Sequence, residues 1–305
     1  MPLLYSDAAA WGCVLAGLAL HAVALAPAFR KSGKRFAFLL PLPGLCALLL
    51  ARFGYLLLQS QEELSLFRWC FTLGLAGLVL GTLLAARLLR TPALPVLDSS
   101  AWGLCAAMAL ARFSQRWLGE VGTGPYLDEG TLLCRPPFIL LNEWEEPLLA
   151  LFLLEALCAA LAVIPVLLSA RHAAPGTVAA RALFLLLIPQ ILLEQFRTGH
   201  YMRWRMLRLE QVVCAVFGLI VLVLLCREAR KSRGFSPAAA WLPVPLYLLA
   251  VGVIVVIQFV LDGKLFELPE AVSWCIYVLA VAGMLGIGLV AARRLNSVHA
   301  EGTRA

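Results

Sequence analysis

Ala101-Trp-Gly-Leu-Cys-Ala-Ala-Met-Ala-Leu-Ala-Arg112-Phe-Ser-Gln-Arg-Trp-Leu-Gly-Glu120 begins as an unbroken apolar run and ends in charge. Counting Arg112 as i, residues Gln115, Arg116, Gly119 and Glu120 fall at i+3, i+4, i+7 and i+8, which is one stripe of an α-helix. Two arginines, an amide and a carboxylate are therefore predicted to face one way at the end of a segment suited to lipid. A charge at membrane depth is costly, so the stripe is a functional-site hypothesis.

The chain around it has the same character. Of 305 residues, 62% are hydrophobic and only 14% charged, a balance rare in soluble domains. Segments near 8–29, 36–59, 66–89, 97–117, 147–170, 180–197, 208–227, 240–262 and 271–293 each approach the ~20 residues that a bilayer requires. The fourth is the least apolar. The fold class this predicts is an all-α integral membrane protein, a polytopic helix bundle with about nine transmembrane helices. The first span lacks a basic leader and is followed by Arg30, Lys31, Lys34 and Arg35, so it does not read as a cleaved signal.

The net charge of +7 collects in short loops. Besides the first cluster, Arg87 and Arg90, Arg171 and Arg181, Arg227, Arg230, Lys231 and Arg233, and finally Arg293 and Arg294 all fall on one side. That side is the expected cytoplasmic one, with the N-terminus outside and the C-terminus inside. This distribution explains the charge without nucleic acid, which is excluded as a partner. Tryptophans 11, 69, 102, 117, 144, 204, 241 and 274 lie near predicted span ends, as an interfacial aromatic belt does. Nine cysteines show no metal-ligand spacing and most sit in apolar segments. Neither a disulfide framework nor a metal site is expected. No Ser/His/Asp arrangement, phosphate-binding Gly-rich loop or HExxH motif is present, and no cofactor is expected.

One loop breaks the charge rule. Residues 197–208 lie on the predicted outer side yet carry Arg197, Arg203, Arg205 and Arg208. Either neighbouring loops override this exception, or it forms an anion site in the compartment that Arg112 and Arg116 face, since guanidinium forks bind phosphate. In Pro189-Gln-Ile-Leu-Leu-Glu-Gln-Phe-Arg197, residues Gln190, Glu194 and Arg197 stand at i, i+4 and i+7, again one face. Here too two readings stand. Glu194 and Arg197 neutralise each other so that the helix can sit in lipid, or Glu120 and Glu194 orient Arg112, Arg116 and Arg197 around a phosphate. The long outer loop 118–146 is acidic, either solvated or a small cap. Asp98, Glu210 and Gln211 read as helix-terminal residues. Glu155 lies inside a span, where it is expected to meet an arginine or be protonated. His200 is the one histidine near the outer arginines, either solvated or a proton carrier.

The order of these motifs resembles the bacterial phosphatidylglycerol–prolipoprotein diacylglyceryl transferases. Ala51-Arg-Phe-Gly-Tyr-Leu-Leu-Leu58 is similar to the family's Gly-Arg-Ile-Gly-Tyr. Phe67-Arg-Trp69 and the Gly-rich run from Leu73 to Gly81 follow in order. Residues 111–120 resemble Gly-Arg-Ile-Gly-Asn-Phe-Ile-Asn-Gly-Glu, Glu194-Gln-Phe-Arg197 resembles Glu-Phe-Phe-Arg, and Leu209-Glu-Gln-Val-Val213 resembles Met-Gly-Gln-Ile-Leu. The chain departs from the family where Leu75-Ala-Gly-Leu78 lacks a histidine, where Gln115 and Leu118 replace asparagines, and where Gln190 replaces an arginine. Of the family's His-Pro-Ser-Gln-Leu-Tyr-Glu motif, only Glu146-Pro147 and a later Glu155 are found.

The resemblance implies a family-like membrane domain over residues 1–230. An additional C-terminal transmembrane hairpin and a short tail fill 231–305. It implies that Arg112, Glu120, Glu194 and Arg197 are functional, with Gln115, Arg116, Gln190, Gln211 and Arg203 as further substrate contacts and His200 as a replacement proton carrier. The implied reaction moves a diacylglyceryl group from phosphatidylglycerol to the lipobox cysteine of a prolipoprotein signal peptide in a bacterial cell membrane. The alternative is a non-catalytic homologue that binds anionic phospholipid or a membrane partner. Inverted pairs of Gly/Pro-broken helices, a mark of many transporters, are not evident.

Overall fold

A computed structural model of the chain describes residues 4–30, 36–58, 69–128, 130–131, 133–169, 173–198, 203–204, 207–231, 236–265 and 268–302. Among these, eight helices are long and apolar enough to cross a membrane, and a bent helix pair passes the same test of length and composition when its two halves are taken together. The protein is thus a multi-pass membrane protein. The spans are α1 (Asp7–Phe29), α2 (Leu42–Leu58) and α3 (Phe71–Leu88), then the bent pair α4 (Ala93–Ser99) and α5 (Ala101–Phe113). After them come α6 (Leu151–Leu161, continued by Val163–Ser169), α7 (Thr177–Leu193), α8 (Leu209–Lys231), α9 (Pro243–Leu261) and α10 (Glu270–Gly302).

The least apolar predicted segment is the one that breaks, by 53° between α4 and α5. The stripe predicted to run through Glu120 also changes form. The α-helix stops at Phe113, Ser114–Trp117 is a tighter 3-10 turn, and Gly119–Gly122 is another. Three residues per turn replace 3.6, so α-helical spacing holds only as far as the first turn after Arg112. Between the two turns Gly119 takes φ +63, a left-handed value that glycine adopts without steric cost. A Cβ there would meet the Tyr5 ring at 2.2 Å.

The central element is α7. Some 72% of its span is buried, and it contacts α5, α6, α8 and α10. That is why its sequence reads as apolar on all sides rather than amphipathic. Lipid tails are as apolar as leucine, so helices in a bilayer associate through close packing more than through the hydrophobic effect. The α2–α3 pair shows this: a Cβ on Gly77 would lie 2.5 Å from the Cys46 carbonyl oxygen and 2.6 Å from Ala47 Cα. Large apolar side chains such as Leu49, Leu57, Leu249 and Leu279 face outward, where a bilayer would solvate them.

The two C-terminal helices share the main core. Tyr247, Ile254, Tyr277 and Met284 belong to the same buried cluster as Phe184 and Leu187 of α7. At one end of the bundle, Asp98 accepts hydrogen bonds from the Gly176 and Ala179 amides at 2.6 and 2.8 Å, and Asn296 accepts from the Ala174 amide at 2.8 Å. Asp98 therefore caps α7, its neighbour, rather than its own helix.

At the opposite end the 118–150 connection folds into a cap. Strands β1 (Ile139–Leu141) and β2 (Pro147–Leu149) pair antiparallel, and Gly124 and Leu127 add backbone bonds to β2. A second, minimal pair joins β3 (Arg203–Trp204) to β4 (Leu207–Arg208).

Gly77→Val should lower the thermal midpoint in detergent, because added methyls meet backbone rather than a movable side chain; overpacking of this kind costs about 1–3 kcal/mol. Gly252→Val, with nothing within 4 Å of the new Cβ, should leave the midpoint unchanged in the same assay.

Candidate functional site

Under the cap, five charged side chains from four elements meet. Arg112 closes α5, Glu155 sits in α6, Glu194 opens the 3-10 turn Glu194–Phe196 after α7, Arg197 follows that turn, and Glu210 opens α8. All five are at most 2% exposed. Burial at this level forces pairing, since an isolated charge in a low-dielectric interior is strongly unfavourable.

Arg197 is the hub. Its Nε donates to both Glu194 oxygens at 3.0 Å, and its Nη2 reaches Glu155 Oε1 at 2.5 Å and Glu194 Oε1 at 2.9 Å. Its Nη1 donates to Gln115 Oε1 at 3.1 Å and to the Val121 carbonyl of the cap. Nε, Nη1 and Nη2 are thus all engaged by the protein itself.

Arg112 is held differently. Its Nη2 lies 2.5 Å from Glu210 Oε1, while its Nη1 stands 3.4 Å from Glu210 Oε2, 3.6 Å from Glu155 and 3.8 Å from Glu194. The Phe71 ring lies 5.0 Å from its guanidinium carbon, within cation–π range. Glu210 is fixed from behind by Thr72, whose hydroxyl and amide donate at 2.8 and 3.2 Å. Gln190 completes the set by donating to Glu155 at 2.5 Å and Glu194 at 3.0 Å.

Two guanidiniums thus face three carboxylates. Arg208, whose guanidinium donates to the Arg197 carbonyl, brings a third cation to the rim. Three buried polar atoms here have no hydrogen-bond partner among the described residues: Arg112 Nε, Gln115 Nε2 and Glu155 Oε2. Such orphans are uncommon in folded proteins and cost about 1–3 kcal/mol each.

Beside this cluster runs an apolar groove of about 520 Å³ between α3, α7 and α8. Its near end is lined by Leu73 and Val212, next to Thr72 and two residues from Glu210. Ala180 lies deep in it, and Val216, Ile220 and Leu224, each more than half exposed, line its open side. From Val212 to Leu225 it follows α8 for roughly 20 Å at ~1.5 Å per residue, more than the ~15 Å of one leaflet's hydrocarbon.

Of the residues singled out in the sequence, Arg112, Gln115, Gln190, Glu194 and Arg197 lie together. Glu194 and Arg197 do pair, across a 3-10 turn rather than along an α-helix. Arg116 is buried in the turn that carries Gln115. Gln211 lies one layer away, bonded to the Ile191 carbonyl at 2.9 Å. The side chains of Glu120 and Arg203, and all of His200, lie outside the described residues.

Glu210 is not merely a helix-terminal residue, because it is the nearest carboxylate to Arg112. Glu155 meets both arginines. The signal for each was present as a carboxylate in or beside an apolar span, but pairing across helices has no sequence period. No protein-family model, curated protein or solved structure matches the chain.

Removing Arg197 takes from Glu155 and Glu194 their closest cation and leaves them Gln190 and the more distant Arg112, whereas removing Arg112 leaves Glu210 its bonds from Thr72. Breaking a buried pair costs about 3–5 kcal/mol, so Arg197→Met should melt well below Arg112→Met in detergent. Equal midpoints would show that the five charges do not have this division of roles.

Proposed function

We propose that the protein is a divergent diacylglyceryl transferase of a bacterial cell membrane, taking phosphatidylglycerol as donor and the lipobox cysteine of a prolipoprotein signal peptide as acceptor. The observation that carries this reading is a fully buried arginine–glutamate cluster at the head of an apolar groove open to the lipid side. Such a site matches a molecule with a charged head and a hydrocarbon tail. The collinear sequence resemblance over about residues 10–230 supports the same class. The basic side chains Arg87, Arg90, Arg227, Arg230, Lys231, Arg293 and Arg294 lie at the end away from the cluster, which favours an outward-facing site and a cytoplasmic C-terminus.

In this reading an acyl chain lies along α8 and the phosphate meets Arg112 Nε and Gln115 Nε2. Arg197, its donors already engaged, keeps Glu155 and Glu194 in place. The acceptor sulfur bonds to the terminal glyceryl carbon as that carbon's bond to the phosphate oxygen breaks. Glycerol phosphate leaves with the bonding pair, and the thiol proton passes to Glu155 Oε2. A fixed guanidinium beside the departing phosphate stabilises charge that grows in the transition state.

The second reading, a non-catalytic phospholipid or partner binder, is favoured by the engagement of Arg197 with Glu155, Glu194, Gln115 and Val121, which turns its guanidinium to the protein rather than to a ligand.

The test is purified protein with phosphatidylglycerol vesicles and a lipobox peptide, read by mass spectrometry. The expected product is the peptide plus one diacylglyceryl group. Arg112→Ala should slow its formation by about 10²–10³-fold, the usual effect of removing one such donor. Val216→Trp, which fills the groove from its open side, should weaken phospholipid binding. Phospholipid binding without any adduct would sink the transferase reading and leave the binding one.

A further inference from the structure

The Glu194–Arg197 turn has two residues between its charged ends, and both are held by the C-terminal hairpin. Gln195 Oε1 accepts from Gln258 Nε2 of α9 at 3.1 Å and from Gln211 Nε2 at 3.3 Å. The Phe196 ring stacks on Trp274 of α10, with centroids 5.0 Å apart and planes within 5°. Tyr277, one turn further along α10, donates to the Ile191 carbonyl at 3.2 Å. That carbonyl belongs to the last turn of α7, just before Glu194.

Gln258 is the clearest sign. It is a buried amide in an otherwise apolar helix, a position that is unfavourable unless both its N–H bonds are used. They are used, on Gln211 Oε1 at 2.7 Å and on Gln195. A hairpin that only thickened the bundle would need no such amide, because leucine packs equally well against lipid and helix.

We infer that the hairpin α9–α10 is a clamp, with Gln258 and Trp274 as positioning residues that fix the Glu194–Arg197 turn. A 3-10 turn has poorer hydrogen-bond geometry than an α-helix, and Pro189 removes one backbone donor just before it. The turn therefore needs outside support to keep Glu194 and Arg197 aimed into the cluster. Its two inward residues carry charge, and its other two are gripped from the hairpin side. This assignment rests on the proposed site for its functional meaning, but its geometry can be tested without any lipid or acceptor.

The test is hydrogen exchange, read by mass spectrometry, on the full chain in detergent, comparing wild type with Gln258→Leu, Trp274→Ala and Trp274→Phe. Expected is at least tenfold faster exchange in peptides covering residues 191–198 for Gln258→Leu and Trp274→Ala. The 174–180 segment at the far end of α7, held by Asp98 and Asn296, should not change. Trp274→Phe, which keeps a stacking ring, should restore protection. Unchanged exchange at 191–198 would overturn the clamp, as would a uniform rise along every helix. A companion measurement of phosphatidylglycerol binding separates the two ideas. Faster local exchange in a protein that never bound the lipid would uphold the clamp and sink the proposed function.

Discussion

Three carboxylates and two guanidiniums buried together set the terms for everything around them. None of the five is tolerable there alone, and four stretches of chain supply them. The bundle must therefore bring α5, α6, α7 and α8 to one point at one depth. The bend between α4 and α5, the 3-10 turn after α7 and the cap over the end all act on that meeting. Arg197 shows the dependence most directly, since its partners come from α6, from its own turn, from the turn after α5 and from the cap.

Close packing elsewhere serves the same point. The glycines of α3 let α2 approach to backbone contact, which places Phe71 and Thr72 against Arg112 and Glu210. Asp98 and Asn296 fix the other end of α7, so that its position is set from both ends. Between these anchors the groove along α8 is lined almost wholly by apolar side chains. The polar cluster and the apolar groove thus lie end to end along α8.

The nine spans were legible because a bilayer imposes a length and a polarity that a single sequence records directly. Arg112, Glu194 and Arg197 stood out for the same reason, as charges where lipid was expected. Glu210 was legible only as a helix-end residue, because its partner is 98 positions away and no period in the sequence links them. The stripe to Glu120 was read with the wrong helical pitch, since nothing before Gly119 marks the change from α to 3-10. The hairpin's contribution was the least visible. Gln258 and Trp274 look like an isolated amide and a belt tryptophan until Gln195 and Phe196 are placed beside them.

The two arginines look alike in sequence and differ in donor count. A guanidinium has five N–H bonds. Arg197 is engaged at Nε, Nη1 and Nη2 by Glu194, Gln115, Val121 and Glu155, so its role is to hold other residues. Arg112 keeps an Nε–H with no acceptor among the described residues and has three contacts between 3.4 and 3.8 Å, which tighten or yield at small cost. A group whose bonds strengthen only when a new negative charge appears contributes to a transition state, whereas one already saturated contributes to the ground state alone. Arg112 is therefore the guanidinium able to take up a new acceptor, with Arg197 as the fixed pin against which the carboxylates are set.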